Sequence, residues 1–171
     1  FAENGWVYFY YSPYNNTENL LARYTIRDGA LVPESRQVIL RVSTERQVEG
    51  GHSAGYLYFG PDGNLFLSVG DNTSPRGNGF GPLDEREGRE IYDAQRSSGN
   101  TWDLRGKILR LNPDGSTPPG NPFGNRIWAY GIRNSIGFAF DPQGVRLWES
   151  ENGPACNDEV NRIVKGGNYG W

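Results

Sequence analysis

Short hydrophobic runs, each closed by turn-forming residues, recur along the whole chain. The runs are rich in aromatic and aliphatic side chains, a composition typical of β-strands. Gly, Pro, Asp and Asn separate them, as in the turns Pro61-Asp62-Gly63 and Asp141-Pro142-Gln143-Gly144. We predict strands over residues 6–11, 20–26, 37–42, 56–59, 65–69, 108–111, 126–130, 137–140, 145–149 and 159–164. The pattern indicates an all-β chain.

Two segments of the chain resemble each other, residues 58–65 and residues 139–146. Each is a strand, a Pro-x-Gly turn and a second strand. They lie about 80 residues apart, more than the roughly 40 to 50 residues of common propeller repeats. A polar, Gly- and Pro-rich insertion at 73–103 accounts for the excess, with a short helical turn predicted at 84–89. Repeated antiparallel units favour β-propeller blades, and an ordinary β-sandwich is the alternative.

Composition and charge exclude several classes of protein. The net charge is −3 with acids and bases mixed, so no basic block predicts a nucleic-acid surface. No apolar run approaches the roughly 20 residues needed to span a bilayer. Cys156 is the only cysteine, which excludes an intrachain disulfide, and we expect it to be a small packed residue. The chain contains no methionine, so we expect a processed or excised piece.

The only histidine, His52, stands in the Gly-rich stretch Gly50–Gly55, directly before a predicted strand. Neutral imidazole is a base poised near pH 7, and a carboxylate can fix its tautomer and raise its basicity. Asp71 follows the next predicted strand. We therefore hypothesise that His52 is a general base and Asp71 its orienting partner. The alternative is a surface histidine, or one that only satisfies a hydrogen bond.

Two further segments carry candidate chemistry. Arg133 and Asn134 lie between strands, where a guanidinium and an amide could clamp an anion or polarise a carbonyl; a solvated turn is the alternative. Residues 151–159 concentrate carboxylates, amides and carbonyls, which are the oxygen ligands that Ca²⁺ prefers. The alternating acids of an EF-hand are absent, and an ordinary acidic turn is the alternative.

The motifs together resemble the soluble quinoprotein sugar dehydrogenases of the glucose/sorbosone dehydrogenase family. The resemblance is carried, in order, by residues 51–55, 59–63, 69–71, 103–110, 130–134, 151–154, 158–161 and 166–171. It implies a six-bladed β-propeller that holds pyrroloquinoline quinone (PQQ) and Ca²⁺. The family chain is more than twice as long, so we expect residues 1–171 to be a partial propeller domain of roughly two to three blades.

The resemblance also implies roles for particular residues. His52, Asp71 and Arg133 match catalytic positions, and His52, Arg133 and Asn134 match contacts to PQQ. Gly153 and Pro154 match positions whose carbonyls hold the PQQ-bound Ca²⁺. Positions where some members place further calcium ligands are matched by Asp158, Glu159 and Tyr169.

The expected function is that of a bacterial PQQ- and Ca²⁺-dependent sugar dehydrogenase. It would oxidise aldoses at C1 to the lactone, with hydride passing to the quinone and then to an external electron acceptor. The resemblance implies a periplasmic or secreted location, and we expect the isolated fragment to be inactive. The alternative is a non-catalytic β-propeller that binds carbohydrate or protein.

Overall fold

The computed structural model describes residues 3–14, 17–44, 51–73, 83–154 and 156–171. Their contacts divide the chain into two compact units, Phe1–Thr44 and Glu45–Trp171. Gly50 and residues 74–82 of the predicted insertion lie outside the described residues. Within the part of the chain that is described, no helix is long and apolar enough to cross a bilayer.

The first unit is one antiparallel sheet of three consecutive strands, in the order β1-β2-β3. Its strands are β1 (Trp6–Tyr11), β2 (Glu18–Arg27) and β3 (Ala30–Ser43). Asp28 and Gly29 close the second hairpin with φ of 53° and 78°, the left-handed backbone that a two-residue turn requires. Aliphatic side chains of β2 and β3 form the buried part of this sheet: Leu20, Leu21, Ala22, Leu40 and Val42.

The second unit contains a four-stranded antiparallel sheet, in the order β4-β5-β6-β7. Its strands are β4 (Ala54–Phe59), β5 (Leu65–Val69), β6 (Lys107–Leu111) and β7 (Ile127–Tyr130). Every residue of the inner strand β5 is buried, which explains why four of its five residues are apolar without alternation; the hydroxyl of the fifth, Ser68, accepts from Tyr56 N (3.0 Å). Four consecutive antiparallel strands are the architecture of a propeller blade.

A second sheet of this unit, in the order β8-β9-β10, packs against the first. Its strands are β8 (Ser135–Phe140), β9 (Leu147–Glu151) and β10 (Glu159–Ile163). Edge-to-face aromatic pairs join the two sheets, with ring centroids 5.1 Å apart for Tyr56 and Phe138 and 5.3 Å for Phe66 and Phe140. One hydrophobic cluster in the buried core of the unit consists of Phe66, Ile108, Ala129, Ile132, Phe138, Leu147 and Ile163.

The two similar hairpins predicted from the sequence are confirmed as β4–β5 and β8–β9. Their turns lie side by side, because a Cβ placed on Gly144 would be 3.2 Å from Pro61. The helical turn predicted at 84–89 is wrong: the described part of the insertion has its only helical turn, a 3₁₀ turn, at Glu90–Tyr92. Cys156 is exposed, so the prediction of a packed residue is also wrong.

Candidate functional site

The candidate residues of the second unit collect at one end of its two sheets. The antiparallel order brings the end of β5, the start of β6 and the end of β7 together. Backbone hydrogen bonds join the segments next to these strand ends. Asp71 N donates to Arg133 O (2.7 Å), and Gly106 N donates to Gly70 O (2.9 Å). The starts of β4 and β8 lie at the same end, since each pairs with the end of its neighbour.

His52 and Asp71 form the buried centre of this site. His52 Nδ1 lies 2.7 Å from Asp71 Oδ1, and the two side chains are 10% and 0% exposed. Asp71 Oδ1 also accepts from Thr73 N (3.0 Å), and Asp71 Oδ2 accepts from the indole Nε1 of Trp171 (2.5 Å). The carboxylate therefore pairs with the imidazole while two further donors hold it in place.

The backbone around His52 is held in an unusual conformation. His52 and Ala54 have φ of 49° and 48°, in the left-handed region that few non-glycine residues occupy. Gly70 permits this arrangement, because a Cβ at that position would lie 1.9 Å from His52 O. Asn134 Oδ1 accepts from Ala54 N (3.1 Å) and ties the same segment to the start of β8. Strain of this kind concentrates at functional sites.

Arg133 is the buried cation of the site, with 4% of its surface exposed. One terminal nitrogen donates to Asn152 O (2.6 Å) and Asn152 Oδ1 (3.0 Å), and the guanidinium lies 5.3 Å from the Trp171 ring centroid. Its Nε is buried without a hydrogen-bond partner among the described residues. Burial lowers the pKa of Arg133, and the negative charges of Asp71 and Glu151 act in the opposite direction.

The residues after β9 form a tight loop. Asp158 Oδ1 accepts from Gly153 N (3.0 Å), and Asn157 N donates to Pro154 O (3.1 Å). A Cβ on Gly153 would lie 1.8 Å from Asn157 O, so only glycine fits there. Ala155 lies outside the described residues.

A pocket of about 210 Å³ opens beside this loop. Its lining combines most of the predicted ligands with parts of the buried site: Arg133, Glu151, Gly153, Pro154, Asn157, Glu159, Tyr169, Gly170 and Trp171. The Tyr169 hydroxyl accepts from Val164 N and donates to Arg162 O, both at 2.7 Å. Among the described residues, no group of three or more His, Cys, Asp or Glu could hold a metal ion by itself. Any cation here would need backbone carbonyls as well as carboxylates.

Glutamates crowd the strand that leads into this loop. Glu149 and Glu151 are 2% and 6% exposed, and the Asn161 amide nitrogen lies 3.1 Å and 3.3 Å from their carboxylates. The same nitrogen lies 3.1 Å from Glu159 Oε2. Burial, together with the neighbouring carboxylates, raises the pKa of Glu151 to about 8 and also raises the pKa of Glu149. Glu151 also accepts a hydrogen bond from Arg133 N.

Sequence reasoning missed Trp171 as a site residue. Its indole bonds Asp71, its ring faces Arg133, and it lines both the 210 Å³ pocket and a second pocket of about 420 Å³. The second pocket is lined by Leu83, Gln95, Gly99, Asn168, Gly170 and Trp171. The Gly166–Trp171 motif was the available signal, but a tryptophan at the end of a Gly-rich stretch carries no obvious chemistry by itself.

Solved structures identify the class of fold. The PQQ-bound form of an aldose sugar dehydrogenase from Streptomyces coelicolor superposes with a TM-score of 0.76 at 31% identity, over 99% of this chain and 44% of that one. The three antiparallel sheets are therefore part of a β-propeller, as the repeated hairpins predicted, and the β-sandwich alternative is wrong.

Comparison with whole sequences gives the family. The family model described as Glucose / Sorbosone dehydrogenase matches residues 1–171, and the chain belongs to that family. It is 40% identical to quinoprotein glucose dehydrogenase B of Acinetobacter calcoaceticus over 70% of this chain and 26% of that protein. It is 38% identical to the aldose sugar dehydrogenase YliI of Escherichia coli (strain K12) over 71% of this chain and 29% of that protein. The chain thus spans less than half the length of these relatives.

Proposed function

We propose that this chain is the part of a PQQ- and Ca²⁺-dependent aldose dehydrogenase that supplies the proton-accepting base. The observation that carries the proposal is the buried His52–Asp71 pair, 2.7 Å apart, beside the buried Arg133 guanidinium. Sugar as the substrate class follows from the relatives, which are named as glucose and aldose sugar dehydrogenases. The reaction is oxidation of the sugar at C1 to the lactone.

His52 acts as the general base. Pairing of Nδ1 with the Asp71 carboxylate selects the tautomer that carries its proton on Nδ1, so Nε2 holds the lone pair. Nε2 takes the proton of the sugar C1 hydroxyl as the C1–H bond breaks. Asp71 stabilises the imidazolium that forms, and its bonds from Thr73 N and Trp171 Nε1 keep it in position.

The residues around Arg133 fit a quinone that carries carboxylates. Arg133 Nε is buried without a partner among the described residues, so the guanidinium retains a donor for an anionic or carbonyl oxygen. Asn134 contributes an amide next to it. A bound PQQ would supply the two-electron oxidant, which no amino-acid side chain supplies. Arg133 and Asn134 would hold the quinone oxygens and balance the negative charge that develops there.

The loop after β9 fits a hard cation. Gly153, Pro154 and Glu159 line the 210 Å³ pocket, and they bring backbone carbonyls and a carboxylate, the kinds of oxygen ligand that Ca²⁺ takes. We assign the PQQ-bound Ca²⁺ to Gly153 and Pro154. Asp158, which caps the loop through Gly153 N, and Tyr169 join Glu159 as candidates for further calcium coordination.

Reconstitution tests the proposal. The complete protein that contains this chain, loaded with PQQ and Ca²⁺, should reduce a redox dye when an aldose is added. His52→Gln should lower kcat by roughly a hundredfold to ten-thousandfold, the usual contribution of a general base. PQQ should still quench the fluorescence of this variant, because the cofactor still binds. Val145→Thr, at an exposed turn position, is the matched control and should leave kcat unchanged.

Equal rates for the wild type and His52→Gln would contradict the assigned base. Sugar binding without quenching by PQQ would favour the alternative, a non-catalytic propeller. We expect the protein to be periplasmic or secreted and to pass its electrons to an external acceptor.

A further inference from the structure

Lys107 is a fully buried cation beneath the candidate site. It begins β6 and is 0% exposed. Its Nζ donates to three backbone carbonyls: Ser97 O (2.8 Å), Ser98 O (3.0 Å) and Arg105 O (2.5 Å). An ammonium has three protons, so this cage of carbonyls matches its full donor capacity. Burial lowers the pKa of Lys107 to about 7, and the carboxylates of Asp103 and Asp71 act in the opposite direction.

Two of these carbonyls belong to a short turn in the insertion, residues 94–98. The turn is closed by Ser98 N donating to Ala94 O (2.7 Å). Ser97 Oγ donates to Asp71 O (2.9 Å), and Ser98 Oγ donates to Ile132 O. The 94–98 turn therefore bonds the segment that carries Asp71 and also the segment that carries Arg133.

The 94–98 turn packs closely against the sheet. A Cβ on Gly106 would lie 1.8 Å from Ser98 Oγ and 2.6 Å from Ile132 O. Gly131 N also donates to Ser98 O (2.9 Å), so that carbonyl is shared between Lys107 and the end of β7. A displacement of the 94–98 turn would have to move Asp71, Ile132 or both.

We propose that Lys107 is a positioning residue, which holds the 94–98 turn in place and thereby fixes Asp71 and Arg133 relative to each other. The proposal rests on the proposed function, in which Asp71 orients the base and Arg133 holds the oxidant. The described part of the insertion thus contributes to the site through the backbone carbonyls and the hydroxyls of Ser97 and Ser98.

The test separates positioning from simple loss of stability. Ser97→Ala removes the hydroxyl that bonds Asp71 O (2.9 Å) and, at a longer distance, Ala94 O (3.3 Å). Lys107→Met removes the ammonium while keeping a similar length of side chain. Ile108→Val is the matched control, because Ile108 is equally buried at the next position of β6 and belongs to the hydrophobic core. All variants are made in the complete protein, and their melting temperatures are measured.

The readout besides activity is the NMR signal of the His52 Nδ1 proton, assigned by its loss in His52→Gln and recorded without PQQ. We expect Ser97→Ala and Lys107→Met to speed its exchange with solvent about tenfold, the factor that corresponds to one hydrogen bond. Ile108→Val should leave exchange unchanged. With PQQ loaded, kcat should fall in the first two variants while KM changes little.

If Ser97→Ala and Lys107→Met lower the melting temperature but leave the His52 signal as Ile108→Val does, the proposal is wrong. If Lys107→Met fails to fold, Ser97→Ala and Ser98→Ala decide the question by the same signal. The variants could speed exchange of the His52 Nδ1 proton as expected even though the PQQ-loaded wild type oxidises no sugar. That result would support the positioning role of Lys107 and contradict only the proposed function.

Discussion

The two halves of the candidate site are built on opposite principles. In the imidazole half, His52, Asp71 and Trp171 satisfy one another, and both oxygens of the Asp71 carboxylate accept hydrogen bonds. In the oxygen half, Glu149, Glu151 and Glu159 converge on the single amide of Asn161. The first half pairs each carboxylate oxygen with a donor, whereas the second places three carboxylates around the Asn161 amide, with Arg133 N as a further donor to Glu151.

This difference separates what folding supplies from what a ligand would supply. A satisfied polar network rigidifies its members, so the imidazole half is ready before any ligand arrives. Clustered carboxylates disfavour one another's ionisation, and the cost is relieved either by protons or by a cation. We therefore expect the oxygen half to respond to pH and to divalent ions, and the imidazole half to respond chiefly to mutation.

The largest effect should come from adding one methyl group to each half in turn. Gly70→Ala places a Cβ 1.9 Å from His52 O and 2.8 Å from Asn134 Oδ1. We expect it to destabilise the fold by about 3 kcal/mol and to abolish dye reduction, because the backbone of His52 must move. Gly153→Ala would bring a Cβ within 1.8 Å of Asn157 O. If Ca²⁺ binds as proposed, it should raise the melting temperature of the wild type, and this variant should lose that rise.

Gly137→Ala is the control for both variants, since its Cβ has only ordinary contacts at 3.9 Å. Thermal melts in Ca²⁺ and in chelator, together with dye reduction, distinguish the three variants. If Gly153→Ala retained the full response to Ca²⁺, the calcium site would not lie at this loop.

The second effect concerns the pH dependence of the oxygen half. Glu149 is buried, its Oε2 lacks a hydrogen-bond partner among the described residues, and its pKa is raised from 4.5. The folded state therefore keeps the proton at pH values where the unfolded chain has lost it. Stability contributed by that proton is present below about pH 4.5 and is lost as the pH rises through the raised pKa.

Glu149→Gln should flatten this decline and stabilise the protein by about 1–3 kcal/mol once the pH exceeds the raised pKa, because the amide does not ionise. Denaturant unfolding in chelator between pH 5 and pH 8 measures the change. Glu85→Gln, at an exposed position, should reproduce the wild-type slope. If the free energy of unfolding of Glu149→Gln fell with pH as steeply as that of the wild type, Glu149 would not be the titrating group.

The smallest effect should come from the indole that joins the halves. Trp171→Phe keeps a ring beside Arg133 but removes the donor to Asp71 Oδ2. We expect kcat/KM to fall about fivefold to tenfold, with a stability loss of about 1 kcal/mol. Trp102→Phe, at a position that is 90% exposed, is the control in the dye assay. An unchanged rate for Trp171→Phe would mean that the indole does not orient Asp71.

Local sequence pattern was sufficient for the strands but not for the support of the site. Turn chemistry marks both similar hairpins, and β5 is apolar at four of its five positions because it is buried on both faces. The His52–Asp71 distance depends on Gly70, whose role is close approach rather than turning, and no local pattern distinguishes the two. The sequence does not reveal buried charges for a similar reason. Lys107 begins an ordinary strand, and two of its three carbonyl partners lie in the insertion, nine and ten positions earlier.

The contact between the turns at Pro61 and Gly144 has a consequence for how such a chain can diverge. The two hairpins meet through matching turns at the end remote from the chemistry, so this contact between the sheets does not involve the residues of the site. Segments at the opposite end can then exchange residues or gain length without disturbing that contact. New ligand preferences could arise on an unchanged frame, which fits a family whose members share the scaffold at 31% identity.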